Sequence, residues 1–183
     1  MLRHIAWFNK APIEPCPEGG LTSPDPVVQR RYLIPARKLE ELGVECSVFG
    51  NLQDADPVQV SQHLQKLETD IVVVGDISGS SRLELARAAK HLGCYVIADF
   101  GHASGVTSDF VQLAEMADQV VAATPEAAAL ALKETGSPTA VIPDCSEGGN
   151  GATSAAAVAQ LWLDCFKKLK LKPPASANTN LPE

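Results

Sequence analysis

Six short apolar runs, each followed by a longer segment with helical spacing, constrain this chain more than any other feature of its sequence. They lie at about Arg3 to Phe8, Val44 to Phe49, Ile71 to Val74, Tyr95 to Ala98, Val120 to Ala123 and Thr139 to Ile142. Strands that stay apolar at successive positions are buried on both faces, and short ones alternating with helices make a parallel sheet sandwiched by helices. The expected fold is α/β: a three-layer, doubly wound, Rossmann-like parallel sheet of about six strands. Right-handed crossovers favour the order 3-2-1-4-5-6, counted along these runs. In that order the chain reverses between strands one and four. The loops after Phe8 and after Asp99 then flank one crevice, at the carboxyl ends of the strands, where open α/β sheets hold ligands.

The helices are punctuated in the way such a fold requires. Asp25-Pro26 and Asp56-Pro57 each pair an N-cap with a proline in the first turn. The first of these helices carries Val27, Val28, Leu33, Ile34, Leu39 and Leu42 and stops at Gly43, and Pro35 inside it should kink it or split off its first turns. Further helices are expected over about Asp56 to Leu67, Arg82 to Leu92, Asp109 to Met116, Pro125 to Glu134 and Ala152 to Lys170. Between Asn9 and Asp25 the chain is too long and proline-rich for a simple connector, and loops of that kind are usually functional or mobile.

Composition narrows the function. A chain of 183 residues that is 45% hydrophobic can bury one core and is short for two ordinary domains. One domain is expected over 1–172, with 173–183, rich in proline and polar residues, as a disordered tail. A net charge of −7 argues against a general nucleic-acid binder, which needs a basic face. No run approaches the length that crosses a bilayer, and the first residues read as a strand rather than a signal peptide. The five cysteines are scattered without a CxxC pair, which suggests reduced thiols and a cytoplasmic protein.

The candidate site centres on Tyr95-Val-Ile-Ala-Asp99-Phe-Gly101-His102-Ala-Ser-Gly105, a buried strand that delivers polar side chains into a loop. His102 suits a base, a donor to a hydroxyl, or a charge that meets phosphate, because imidazole titrates near neutrality. Asp99 is placed to orient His102 or to meet a cation, but this loop lacks the ligand count of a metal site, and no metal or cofactor is expected. Gly19 and Gly20 would let backbone N–H groups approach a ligand closely, although a plain turn explains them equally well. Asp76 and Ser78, in a glycine-serine loop on the same rim, are candidate ligand contacts, as are Gly101, Thr124 and Glu147. The order G-x-x-S-G around Ser78 is not a nucleophile elbow, and the glycine loop 148–153 has no Walker A lysine. Arg30, Arg31, Arg37 and Lys38 read as a solvated helix face.

The order of these pieces resembles a known family. The glycine-bearing loop, Arg31-Tyr-Leu-Ile-Pro-Ala-Arg-Lys-Leu-Glu-Glu-Leu-Gly-Val-Glu45, Thr69-Asp-Ile-Val-Val-Val74, Gly93-Cys-Tyr-Val-Ile-Ala-Asp99, Ala117-Asp-Gln-Val-Val-Ala-Ala-Thr-Pro125 and Gly136-Ser-Pro-Thr-Ala-Val-Ile-Pro-Asp144 together resemble the N-terminal half of retaining GT-B glycosyltransferases. The resemblance covers about Ile5 to Asp144. It implies an acceptor-side domain that binds a sugar or nucleotide sugar, with the glycine-rich loop near the donor phosphates at Gly19 and Gly20. The histidine that faces the reacting sugar maps onto His102. Glu126 and Glu134 have the E-x7-E spacing of the family's second, donor-binding domain but sit on a helix of the first half, about 12 Å apart along its axis. Since 183 residues leave no room for that second domain, transfer is expected only where another chain or a dimer mate supplies it. The rival expectation is a non-catalytic binding or assembly module that keeps the fold and uses its surface for a protein partner or homodimer. A stand-alone small-molecule enzyme is the third.

Overall fold

A computed structural model describes residues 2–51, 56–75, 80–102, 105–146 and 151–170. Asp76, Ser78, Glu147 and the expected tail lie outside the described residues.

The expected fold class is the one observed. Six parallel strands form the sheet: β1 (His4–Phe8), β4 (Glu45–Phe49), β5 (Thr69–Val74), β6 (Tyr95–Asp99), β7 (Gln119–Ala122) and β8 (Thr139–Val141). A two-stranded antiparallel hairpin, β2 (Glu14–Pro15) with β3 (Leu21–Thr22), stands in the long loop after β1. The helices are α1 (Pro26–Val28), α2 (Ile34–Glu41), α3 (Pro57–Lys66), α4 (Ser80–His91), α5 (Ser108–Met116), α6 (Pro125–Thr135) and α7 (Ala155–Lys170). A π-helical segment, Gln29–Leu33, joins α1 to α2.

The strand order differs from the expected 3-2-1-4-5-6. The sheet runs β4-β1-β5-β6-β7-β8, so strand three of the sequence lies beside strand one, and strand two is the edge. The side chains explain why. Thr69–Val74 buries its last four residues, Ile71 to Val74, completely and belongs inside the sheet, whereas Glu45–Phe49 buries only Val48 and carries Glu45 and Ser47, as an edge strand can. Both orders satisfy right-handed crossovers, and burial decides between them. The reversal of direction now falls between β1 and β5.

Alternation along the strands splits the core in two. Ala6, Phe8, Val72, Val74, Val96 and Ala98 face a layer built from α3, α4, α5 and α6. Ile5, Trp7, Ile71, Val73 and Ile97 face α2 and α7. The uneven split, with α1 also on the smaller side, follows from the order, because β4→β5→β6→β7→β8 advances in one direction and right-handed crossovers put all its helices on one face. On the smaller side, Trp7 meets Trp162 edge-on at 6.2 Å between ring centroids, and Phe166 stacks on Trp162 at 5.6 Å.

At the amino ends of the strands, His4 ties three of them together. Its Nδ1 is 2.9 Å from Thr69 Oγ1 and its Nε2 is 2.9 Å from Ser47 Oγ. Burial pushes its imidazole below the ordinary value of 6.5, against the opposing pull of Glu45 and Asp70. The fold thus favours the neutral ring, and the unfolded chain takes up the proton first as pH falls. The contribution is present above about pH 6.5 and lost below it. Unfolding free energy is expected to fall as pH drops through and below about 6.5, and His4→Asn to flatten part of that slope. Superimposable pH dependences for the two proteins in urea unfolding would contradict this.

Candidate functional site

The site begins with a proline. Asp25 caps α1, its carboxylate accepting from Val27 N–H at 2.8 Å. Pro35 has no N–H to return to Arg31 four residues earlier, so a regular helix cannot pass through this point. The chain instead widens to a π turn over Gln29–Leu33, and Ile34 N–H reaches back five residues to Gln29. This is the disruption expected of Pro35, in a form that periodicity does not foretell. The wider turn brings the consecutive side chains of Arg31 and Tyr32 to the same acceptor.

That acceptor is Asp99, at the carboxyl end of β6. Arg31 binds it through both sides of the guanidinium fork, Nε to Oδ2 at 2.7 Å and Nη2 to Oδ1 at 2.5 Å. Tyr32 Oη donates to Oδ2 at 2.8 Å, and Gly101 N–H donates to Oδ1 at 2.9 Å. Gly101 makes that bond with a φ of +57°, a conformation that suits glycine. Both charged side chains are buried, Arg31 at 1% exposure and Asp99 at 0%. Burial alone would lower the Arg31 pKa, but the charge and hydrogen bonds of Asp99 outweigh it and hold the guanidinium charged, with its pKa raised. Four donors occupy the four lone-pair positions of the Asp99 carboxylate.

The rest of the guanidinium reaches the far side of the sheet. Arg31 Nη1 donates to the Ile142 carbonyl at 2.8 Å and to Asp144 Oδ1 at 3.0 Å, and the group lies 5.8 Å from the Trp162 ring centroid. Asp144 Oδ2 in turn meets His102 Nε2 at 2.8 Å. Two sequence readings are corrected here. Arg31 lies in the core rather than on a solvated face, because the π turn aims it inward. His102 is oriented by Asp144 rather than by Asp99, whose oxygens are already occupied.

Beside this network opens a cavity of about 480 Å3. The loop after β1 lines it with Asn9, Lys10 and Ala11, the first helix with Asp25, Val27, Val28, Arg31 and Tyr32, and the loop after β6 with Asp99 to His102. Arg82 of α4, Thr107 and Phe110 close the remaining wall. The two loops expected to flank one crevice do so even though the strand order differs. Asn9 holds its loop in shape, accepting from Ala11 N–H at 2.9 Å and donating to the Phe49 carbonyl at 3.1 Å. Arg82 is buried, 3.8 Å from Asp109 Oδ2 and 5.9 Å from the Phe110 ring centroid.

Of the expected site residues, Asp99, Gly101 and His102 line this cavity. Gly19 and Gly20 sit in the turn of the β2–β3 hairpin, with φ of +96° and +83°, and are not among its lining residues. Thr124 caps α6, its Oγ1 accepting from Ala127 N–H at 3.2 Å. Sequence reasoning missed Asn9, Tyr32 and Arg82 as cavity residues, and Asp144 as the partner of His102. Pro35, four residues after Arg31, was the one local signal that the helix face was not regular. Cys145 follows Asp144, but burial and then the Asp144 charge push its thiol up to about 11, which makes it a poor nucleophile. Among the described residues no group of three His, Cys, Asp or Glu is placed to hold a metal ion, and no helix is long and apolar enough to cross a membrane.

No family model matches the sequence, and no curated protein matches it either. Among solved structures the chain is similar to a UDP-N-acetylglucosamine 2-epimerase, at a TM-score of 0.50 and 13% identity, over 82% of this chain and 52% of that one. It is also similar to MurG from Acinetobacter baumannii, at a TM-score of 0.46 and 16% identity, over 69% of this chain and 42% of the other. The chain thus spans about half the length of the epimerase chain and less of MurG. The likeness to the epimerase is one of fold, that of a Rossmann-like α/β domain.

Proposed function

We propose that this chain is a glycosyltransferase-like domain that binds a sugar or nucleotide sugar in the cavity between the loops after β1 and β6. Transfer to an acceptor then requires a donor domain supplied by another chain or by a dimer mate. The cavity carries this reading. Its volume of about 480 Å3 is that of a small-molecule site, and it opens at the carboxyl ends of parallel strands. His102 is the side chain we assign to the ligand, being 47% exposed on the cavity wall. Asp144 holds it, and Asp99 and Gly101 line the same cavity. Asp76, Ser78 and Glu147 keep the ligand-contact roles that the sequence alone suggests, whereas Gly19, Gly20 and Thr124 stand outside the cavity lining and would contact only a ligand that extends beyond it; a cytoplasmic location belongs to the same proposal.

The similar fold of a UDP-N-acetylglucosamine 2-epimerase makes UDP-N-acetylglucosamine the first probe. Calorimetric titration is expected to give saturable binding that His102→Ala weakens about tenfold, the worth of one good hydrogen bond. Gly20→Val tests whether the hairpin turn takes part. One observation favours the rival reading, a non-catalytic binding module: Asp99, the expected partner in chemistry, has no acceptor position left. The absence of binding to UDP-N-acetylglucosamine and UDP, together with a stable co-purifying protein, would decide for that rival.

A further inference from the structure

We infer that Asp144 is the positioning residue of this cavity: it holds the His102 ring by Nε2 and so presents Nδ1 as the acceptor for a ligand hydroxyl. The ligand part rests on the sugar-binding proposal, whereas the Asp144–His102 pair is a property of the chain without ligand.

Asp144 uses Oδ1 to accept from Arg31 Nη1 at 3.0 Å and presents Oδ2 to His102 Nε2 at 2.8 Å. An ionised carboxylate only accepts, so Nε2 must carry the hydrogen, and a neutral ring then keeps its lone pair on Nδ1. Among the described residues, nothing else bonds this ring. Asp144 is itself only 14% exposed, and the guanidinium that holds it cannot swing away. Arg31 is buried, bound at both oxygens of Asp99 and to the Ile142 carbonyl. The ring is therefore oriented before any ligand arrives, the condition for a side chain to contribute without a large ordering cost. Lys10, Asp25 and Arg82 also line the cavity, and the bond that fixes the ring is the one from Nε2 to Asp144.

The chemistry selects a class of ligand group. A lone pair on Nδ1 accepts from a hydroxyl, as a sugar offers, and gives nothing to a carbonyl or phosphate oxygen, which needs a donor. His102 is thereby assigned the accepting role among those its residue type allows.

Long-range proton–nitrogen NMR of the free protein at about pH 8, above the ordinary histidine range, tests the pair directly. The expected result is a His102 ring with Nδ1 unprotonated and a slowly exchanging Nε2–H resonance that Asp144→Ala abolishes. Arg31 keeps Asp99 and Ile142 in that variant, so the fold should persist. An Nδ1–H tautomer in the wild type would overturn the inference without any variant. An Nε2–H resonance unchanged in Asp144→Ala would overturn it as well. The ligand arm uses UDP-N-acetylglucosamine: His102→Ala and Asp144→Ala each weaken binding about tenfold, and the double variant is no weaker than His102→Ala alone. Multiplicative losses would mean that the two side chains act separately. No binding by the wild type, with the expected tautomer intact, would count against the sugar reading and leave the pair standing.

Discussion

Arg31→Met is expected to destabilise the protein by about 3–5 kcal/mol, because it leaves the Asp99 carboxylate buried without its counter-ion. Asp99 has no exposed side-chain surface to recover water, and Tyr32 and Gly101 alone would then solvate its charge. At about 2–4 °C per kcal/mol for a chain of this size, the melting temperature should drop by roughly 6–20 °C. Adding Asp99→Leu to Arg31→Met should recover part of the loss, since an apolar pair removes the unpaired charge. Thermal and urea unfolding of the two variants measure this. A loss below about 1 kcal/mol for Arg31→Met would mean that the pair behaves as a surface salt bridge, in contradiction of a buried network.

Gly75→Ala should be nearly as damaging, through shape rather than charge. A Cβ at this position would overlap Tyr32 Oη, and would stand 3.0 Å from Tyr32 Cζ and 3.1 Å from the Phe8 carbonyl oxygen. Gly75 N–H donates to that same carbonyl at 2.9 Å, so the backbone has little room to withdraw. The methyl group must push the phenol off Asp99, which adds a lost hydrogen bond to the overpacking, about 2–5 kcal/mol together. Tyr32→Phe removes the obstructing hydroxyl. The double variant Gly75→Ala/Tyr32→Phe should therefore be less destabilised than the sum of the single changes, and strict additivity in urea unfolding would contradict the contact.

The layers of this fold were legible in short apolar runs such as Ile71 to Val74 and in the caps at Asp25 and Asp56. The order of the strands was not read correctly, although Glu45 and Ser47 already marked strand two as an edge. Handedness rules are silent between the two arrangements, and only comparing how apolar each strand is separates them. In the candidate site, Asp99, Gly101 and His102 were visible because one strand end and the loop that follows it carry them all. Asp144 was invisible as a partner because 42 residues separate it from His102. Arg31 was misplaced for a local reason: helical periodicity assumes a regular turn, and Pro35 replaces it with a wider one.

The central claim is that the crevice flanked by the Asn9 and His102 loops is where this chain meets its ligand. Amide chemical-shift mapping during titration with a nucleotide sugar tests it most directly. The account predicts saturable shifts concentrated at Asn9 to Ala11, Val27 and Val28, and Phe100 to His102. Shifts confined to the opposite end of the sheet, around His4 and Cys46, or none at all at saturating ligand, would contradict it.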